Sequence, residues 1–119
     1  IENICAITDA VRGAGQPEGE SFIGRKGEET PCIIENGIAK LPDHSGFAGS
    51  IATSDRLLRT LVFKAGLPIE QAILALTANP AKLFNLKNKG NISVGLDADI
   101  VIFDHDINIL SVIVAGNLI

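Results

Sequence analysis

The run Ile4-Cys5-Ala6-Ile7 constrains this chain more than any other stretch. It is apolar without alternation, and Thr8-Asp9 closes it. A strand with one wet face alternates apolar and polar residues, whereas a strand covered on both faces reads as a continuous apolar run. The pattern predicts a strand over residues 3–8 in a parallel sheet, and therefore an α/β fold. Residues 11–20 then carry three Gly and one Pro, which predicts a loop.

Ser21-Ile23 and Pro31-Ile34 read as short extended segments. Asn36-Gly37 stands between Ile33-Ile34 and Ile38-Ala39-Lys40-Leu41. Asn-Gly flanked by apolar runs predicts a tight hairpin, because both turn residues must accept positive φ. Residues 42–50 form a second glycine-rich connection. Helices follow. Thr53-Ser54-Asp55 offers caps ahead of Leu57, Leu58, Leu61 and Val62, which recur at helical spacing, and Gly66 ends that helix. Pro68 opens a second helix over residues 69–77, with Ile69, Ala72, Ile73 and Leu76 on one face. A third, over residues 81–86, has Pro80 at its first position. Residues 87–91 are a polar break. Two β-branched runs, 99–104 and 109–115, flank the turn His105-Asp106-Ile107-Asn108 and predict a hairpin that needs a larger sheet to be stable.

At 119 residues the chain makes one small domain or a piece of a larger one. It contains no Met, which suggests the C-terminal part of a longer protein. Ten Lys and Arg against fourteen Asp and Glu give a net charge of −4, which disfavours a grip on nucleic acid phosphates. With five Phe and no Trp or Tyr, a base-stacking surface is also disfavoured. The apolar runs are too short to span a bilayer, and no signal-peptide pattern opens the chain. Cys5 and Cys32 are expected to stay reduced as small buried hydrophobes, and their spacing suggests no zinc site.

Asp9 is the leading candidate for chemistry. The C-terminal end of a parallel strand is where α/β barrels and open α/β sheets carry their catalytic groups. A carboxylate there can ligate a metal or move a proton, or it can simply cap a turn. Phe47-Ala48-Gly49-Ser50 is a small-residue loop ahead of a helix, suited to offering backbone N–H groups to an anion or carbonyl oxygen, and equally to plain loop and cap chemistry. His44 lies near that loop and suits a site rim. His105, between two aspartates, reads as solvated. Two histidines this far apart cannot build a histidine-rich metal centre.

Four segments in order carry a resemblance. They are Ile7-Thr8-Asp9-Ala10 with Gly13-Ala14-Gly15; Phe47-Ala48-Gly49-Ser50 with Asp55; Leu76-Thr77-Ala78-Asn79-Pro80-Ala81-Lys82; and Lys89-Gly90-Asn91-Ile92 with Gly95 and Asp97-Ala98-Asp99-Ile100-Val101. With them the chain resembles the C-terminal third of the N-acetylglucosamine-6-phosphate deacetylases of the amidohydrolase superfamily. The last segment is shared across that superfamily. The pairing of Thr8-Asp9-Ala10 with Ala48-Gly49-Ser50 is narrower. Asp43-His44-Ser45-Gly46-Phe47 is longer and bulkier than the family's approach to this loop.

The resemblance implies the end of a (β/α)8 barrel over residues 1–88 and terminal strands of a small β-sandwich over residues 89–119. It implies hydrolytic deacetylation of an amino-sugar phosphate by a cytoplasmic homodimer that contacts neither nucleic acid nor membrane. A divalent metal, zinc or iron, would be held by residues upstream of this chain. Asp9 would be the proton shuttle beside it, and Phe47, Ala48 and Gly49 would bind substrate. Two rival expectations stand: another amidohydrolase, such as a dihydroorotase or an imidazolone-type hydrolase, and a non-enzymatic autonomous domain.

Overall fold

The computed structural model describes residues 1–119. The chain forms two compact units, Thr8–Ser54 and a second made of Ile1–Ile7 with Asp55–Ile119. It contains both helices and two three-stranded antiparallel sheets, in the orders β1-β2-β3 and β4-β5-β6.

In the first unit, β1 (Gly19–Ile23), β2 (Thr30–Glu35) and β3 (Ile38–Lys40) build the first sheet. The predicted hairpin is present. Asn36 and Gly37 have φ of +53° and +68°, and Glu35 pairs with Ile38 across them. Both turn residues are therefore left-handed, the geometry for which Asn-Gly is selected. Alternation along β2 turns Cys32 and Ile34 inward. Cys32 packs with Ala39 and Ala48, and Ile23, Leu41 and Ile51 close around them. Small side chains at the centre let the loop carrying Ala48 lie directly against β2 and β3.

The second unit holds α1 (Ser54–Arg59) from Asp55 on, a π-helical turn (Thr60–Lys64), α2 (Ile69–Leu76), α3 (Ala78–Leu83), β4 (Ile100–Phe103), β5 (Ile109–Val114) and β6 (Asn117–Leu118). The π turn interrupts the first predicted helix. Thr60 donates its hydroxyl to the Arg56 carbonyl at 2.8 Å, a back-bond that distorts helices, and the Ala65 N–H reaches back to the Thr60 carbonyl at 2.9 Å. Ala72 and Ala75 are buried on α2, and Leu58, Ala72 and Ile107 form the core of this unit. Ile107, in the β4–β5 turn, is fully buried at a φ of +61°. Arg59 donates to its carbonyl at 2.7 Å, and Asp55 pairs with the same guanidinium.

Four expectations need correction. Residues 3–8 form no strand, and Asn3 lies in a turn. A ladder needs a neighbouring strand, and within its unit this segment is tied instead by the Ala6 N–H on the Ala75 carbonyl at 2.9 Å and by the Asn79 amide on the Ile4 carbonyl at 2.7 Å. Its Cys5 is half-buried rather than buried, and carries a free thiol, as does the buried Cys32. The third helix is α3, which starts at Ala78 and stops at Leu83. Pro80 sits third in it, where a missing N–H costs nothing because first-turn donors have no intrahelical acceptor. Asn85, at φ +56°, then turns the chain away. The C-terminal hairpin gains a third strand, β6, whose Leu118 pairs with Ile113. Even so, Val101, Ile102, Leu110 and Leu118 stay largely exposed. No helix is long and apolar enough to cross a membrane.

Candidate functional site

Asp9 stands where the irregular N-terminal segment becomes a turn. Its φ is +47°, a left-handed conformation that Asp adopts more readily than most residues. Ala10 forms a parallel bridge with Ser50, and the Val11 N–H donates to the Ser50 carbonyl at 2.8 Å. One step back on each segment, this register sets Asp9 beside Gly49. The Asp9 carboxylate is exposed and engages no hydrogen bond or ion pair within the chain. A turn-capping aspartate would be bonded to a nearby backbone N–H. Asp9 is not, so its carboxylate is available to something else.

The loop beside it is held from below. Lys40 bridges to Phe47, the Leu41 N–H donates to the Gly46 carbonyl at 2.9 Å, and the Ala48 N–H donates to the Ala39 carbonyl at 2.8 Å. These bonds fix the alternation of the loop: Phe47 is 79% exposed while Ala48 is 2% exposed. Because Ala48 spends its N–H on Ala39, the donors this loop can offer a ligand are those of Phe47 and Gly49. Ser50 turns its hydroxyl to the Ala52 N–H at 3.2 Å and so shapes the exit from the loop. Gly49 has a φ of +92°, and a Cβ there would stand 2.6 Å from Val11 Cγ1. Only glycine meets both conditions without strain.

His44, at φ +58°, is exposed at the turn leading into this loop. Next to it, the Asp43 carboxylate accepts from the Ser45 hydroxyl at 2.7 Å and the Ser45 N–H at 3.0 Å. These two bonds, the hydroxyl first, hold Asp43 below the usual carboxylate range. Lys40 does the same for Glu35 by a hydrogen bond at 2.8 Å. His44 adds a smaller pull on both carboxylates. His105 lies in the other unit, exposed in the β4–β5 turn. No group of three His, Cys, Asp or Glu side chains converges to hold a metal ion.

The structure thus brings together Asp9, Phe47, Ala48 and Gly49, the four residues singled out from sequence. It adds Val11, which reasoning from sequence missed. Only the requirement for glycine at position 49 hinted that a neighbour crowded it, and that requirement named no partner.

The amidohydrolase family pattern matches residues 21–119. An N-acetylglucosamine-6-phosphate deacetylase from Lysinibacillus sphaericus is 34% identical over 117 residues, covering 98% of this chain and 29% of that protein. The same-named protein from Rattus norvegicus is 29% identical over 119 residues, covering 99% of this chain and 28% of its own length. A crystal structure of N-acetyl-D-glucosamine-6-phosphate deacetylase from Mycobacterium smegmatis superposes with a TM-score of 0.80 at 30% identity, covering 99% of this chain and 31% of that one. The chain spans less than a third of the length of each.

Proposed function

This chain belongs to the amidohydrolase family, and from that premise we propose that the protein it forms part of hydrolyses N-acetylglucosamine 6-phosphate to glucosamine 6-phosphate and acetate. The register that puts the unengaged Asp9 carboxylate beside Gly49 is the observation that supports this reading most directly. The full-length relatives that share this segment are named for that deacetylation. Nothing comparable favours a dihydroorotase, an imidazolone-type hydrolase or a non-enzymatic module.

In this reading residues 1–88 close a (β/α)8 barrel and residues 89–119 belong to a small β-sandwich. The parallel Ala10–Ser50 bridge suits the first assignment, and the exposed apolar side chains of β4–β6 suit packing against further strands. The protein would work in the cytoplasm as a homodimer on a small amino-sugar phosphate.

A divalent metal, zinc or iron, would polarise the amide carbonyl and acidify the attacking water. This chain supplies no ligand set for it, so the steps here concern the chain's own groups. Asp9 takes a proton from the water as its oxygen bonds to the acetyl carbon. When the carbon–nitrogen bond breaks, Asp9 returns that proton to the departing amine, and acetate leaves. One group serves as base and then as acid, which requires a carboxylate that no neighbour has engaged. The N–H groups of Phe47 and Gly49 bind the sugar phosphate and fix its amide over Asp9. The exposed Phe47 ring covers the ligand from the loop side.

The test is Asp9→Asn in the full-length protein. It keeps the shape of the side chain and removes the base. General acid–base catalysis by one group contributes on the order of 10²–10⁴ in rate, so kcat should fall by at least about 10² with metal content and melting midpoint near normal. A soluble variant with kcat within about threefold of wild type overturns the proton role.

A further inference from the structure

We propose that Val11 is a positioning residue: its isopropyl group sets the gap between the Asp9 carboxylate and the backbone of Gly49. This rests on the site reading above and extends it to a residue that touches neither substrate nor metal in that reading.

Three observations meet at Val11. Its N–H donates to the Ser50 carbonyl at 2.8 Å, so its backbone is tied to the loop it faces. Its own carbonyl accepts the Ala14 N–H at 3.0 Å, so it is anchored on the other side by the turn that follows. Its Cγ1 lies 2.6 Å from where a Cβ on Gly49 would stand, so the side chain occupies the space glycine leaves open. The residue is pinned at both ends and β-branched, and a stiff χ1 keeps the branch where it is. On its other side the loop is tied to β3 and the turn after it, by the Ala48 N–H on the Ala39 carbonyl and the Leu41 N–H on the Gly46 carbonyl. The ties to Ala39 and Leu41 fix the height of the loop, and Val11 fixes its distance from the segment that carries Asp9. A smaller side chain lets Gly49 settle toward Val11 and carries the N–H groups of Phe47 and Gly49 with it. A shift of this kind acts on binding, because it moves the donors that hold the substrate and leaves the proton shuttle in place.

The experiment uses the full-length protein loaded with its metal and N-acetylglucosamine 6-phosphate as the probe. Val11→Ala is expected to raise KM by at least about fivefold with kcat within about threefold and metal content unchanged. Val11→Thr keeps both branches and is expected to hold KM within about twofold. In the paired arm, Gly49→Ala alone collides with Val11 Cγ1, and the double variant Val11→Ala with Gly49→Ala is expected to recover part of the lost kcat/KM. A purely structural Val11 lowers the melting midpoint and leaves KM at the wild-type value. That result overturns the proposal, as does a Val11→Thr variant behaving like Val11→Ala. If Val11→Ala does not fold, absence of any recovery in the double variant relative to Gly49→Ala overturns it. Failure of the site reading is distinguishable: Asp9→Asn then keeps its kcat, whereas an inactive Asp9→Asn with an indifferent Val11→Ala refutes the positioning role alone.

Discussion

Ile107 is a β-branched residue in the left-handed region, at φ +61°, with no exposed surface. Burial and strain act there in opposite directions. The side chain packs with Leu58 and Ala72, and Phe103, Leu61 and Leu76 lie around it. Ile107→Ala deletes three carbons, worth about 2.4 kcal/mol at ~0.8 kcal/mol each before any cavity cost. Large-to-small changes of this kind cost about 2–5 kcal/mol in all. Ile107→Gly deletes one carbon more and adds unfolded-state entropy, and at an ordinary φ it would fall below the alanine variant by roughly 1.5 kcal/mol. At φ +61° glycine also escapes a penalty of about 1–2 kcal/mol that alanine keeps. The two variants should therefore agree within about 1 kcal/mol. Urea denaturation of the full-length protein, followed by far-ultraviolet circular dichroism, measures both. A glycine variant less stable than the alanine variant by about 1.5 kcal/mol or more would show that the turn stores no strain. An alanine variant within about 0.5 kcal/mol of wild type would show that Ile107 is not a core residue.

Two further outcomes test how the second unit is held. Asn79, buried at the start of α3, donates its amide to the carbonyls of Ile1 at 3.0 Å and Ile4 at 2.7 Å. Asn79→Leu leaves the Ile4 carbonyl without a donor, while the Ile1 carbonyl keeps only the Ile4 N–H at 3.0 Å; it should cost about 1–3 kcal/mol, with faster amide exchange at Ala6, and unchanged exchange at Ala6 would show that the amide does not tie the segment down. Asp104 accepts from the Asn108 side chain at 2.9 Å and from the N–H groups of Asn108 and Asp106 at 2.8 Å and 3.0 Å. These bonds, the Asn108 side chain first, lower its pKa. A carboxylate depressed in the folded state stabilises fully above its unfolded pKa and loses that contribution as pH falls through the folded value. Acid should therefore loosen the β4–β5 turn, and Asp104→Asn should flatten that dependence; an equally steep acid response in the variant would place its origin elsewhere.

What was legible in the sequence was local. Asn36-Gly37 demands a turn with two positive φ values, and no tertiary context is needed to know it. Pro68 and the spacing of Ala72 likewise place α2 from chain chemistry alone. What failed depended on neighbours. The run Ile4–Ile7 has strand composition, but a strand is a pairing and not a property of one segment, so here it is an irregular arm tied by Ala6 and by Asn79. The π turn at Thr60–Lys64 comes from one threonine hydroxyl bonding back along its own helix, which periodicity does not register. The candidate site sits between these cases. Asp9 and the Phe47–Gly49 loop were each visible as residue types at suggestive positions. Their juxtaposition rests on a single parallel bridge between residues forty apart, 10 and 50, which no local rule predicts. Val11 makes the point sharper. In sequence it is an unremarked valine two residues past Asp9, and only the crowding of Gly49 in three dimensions gives its branched side chain a task.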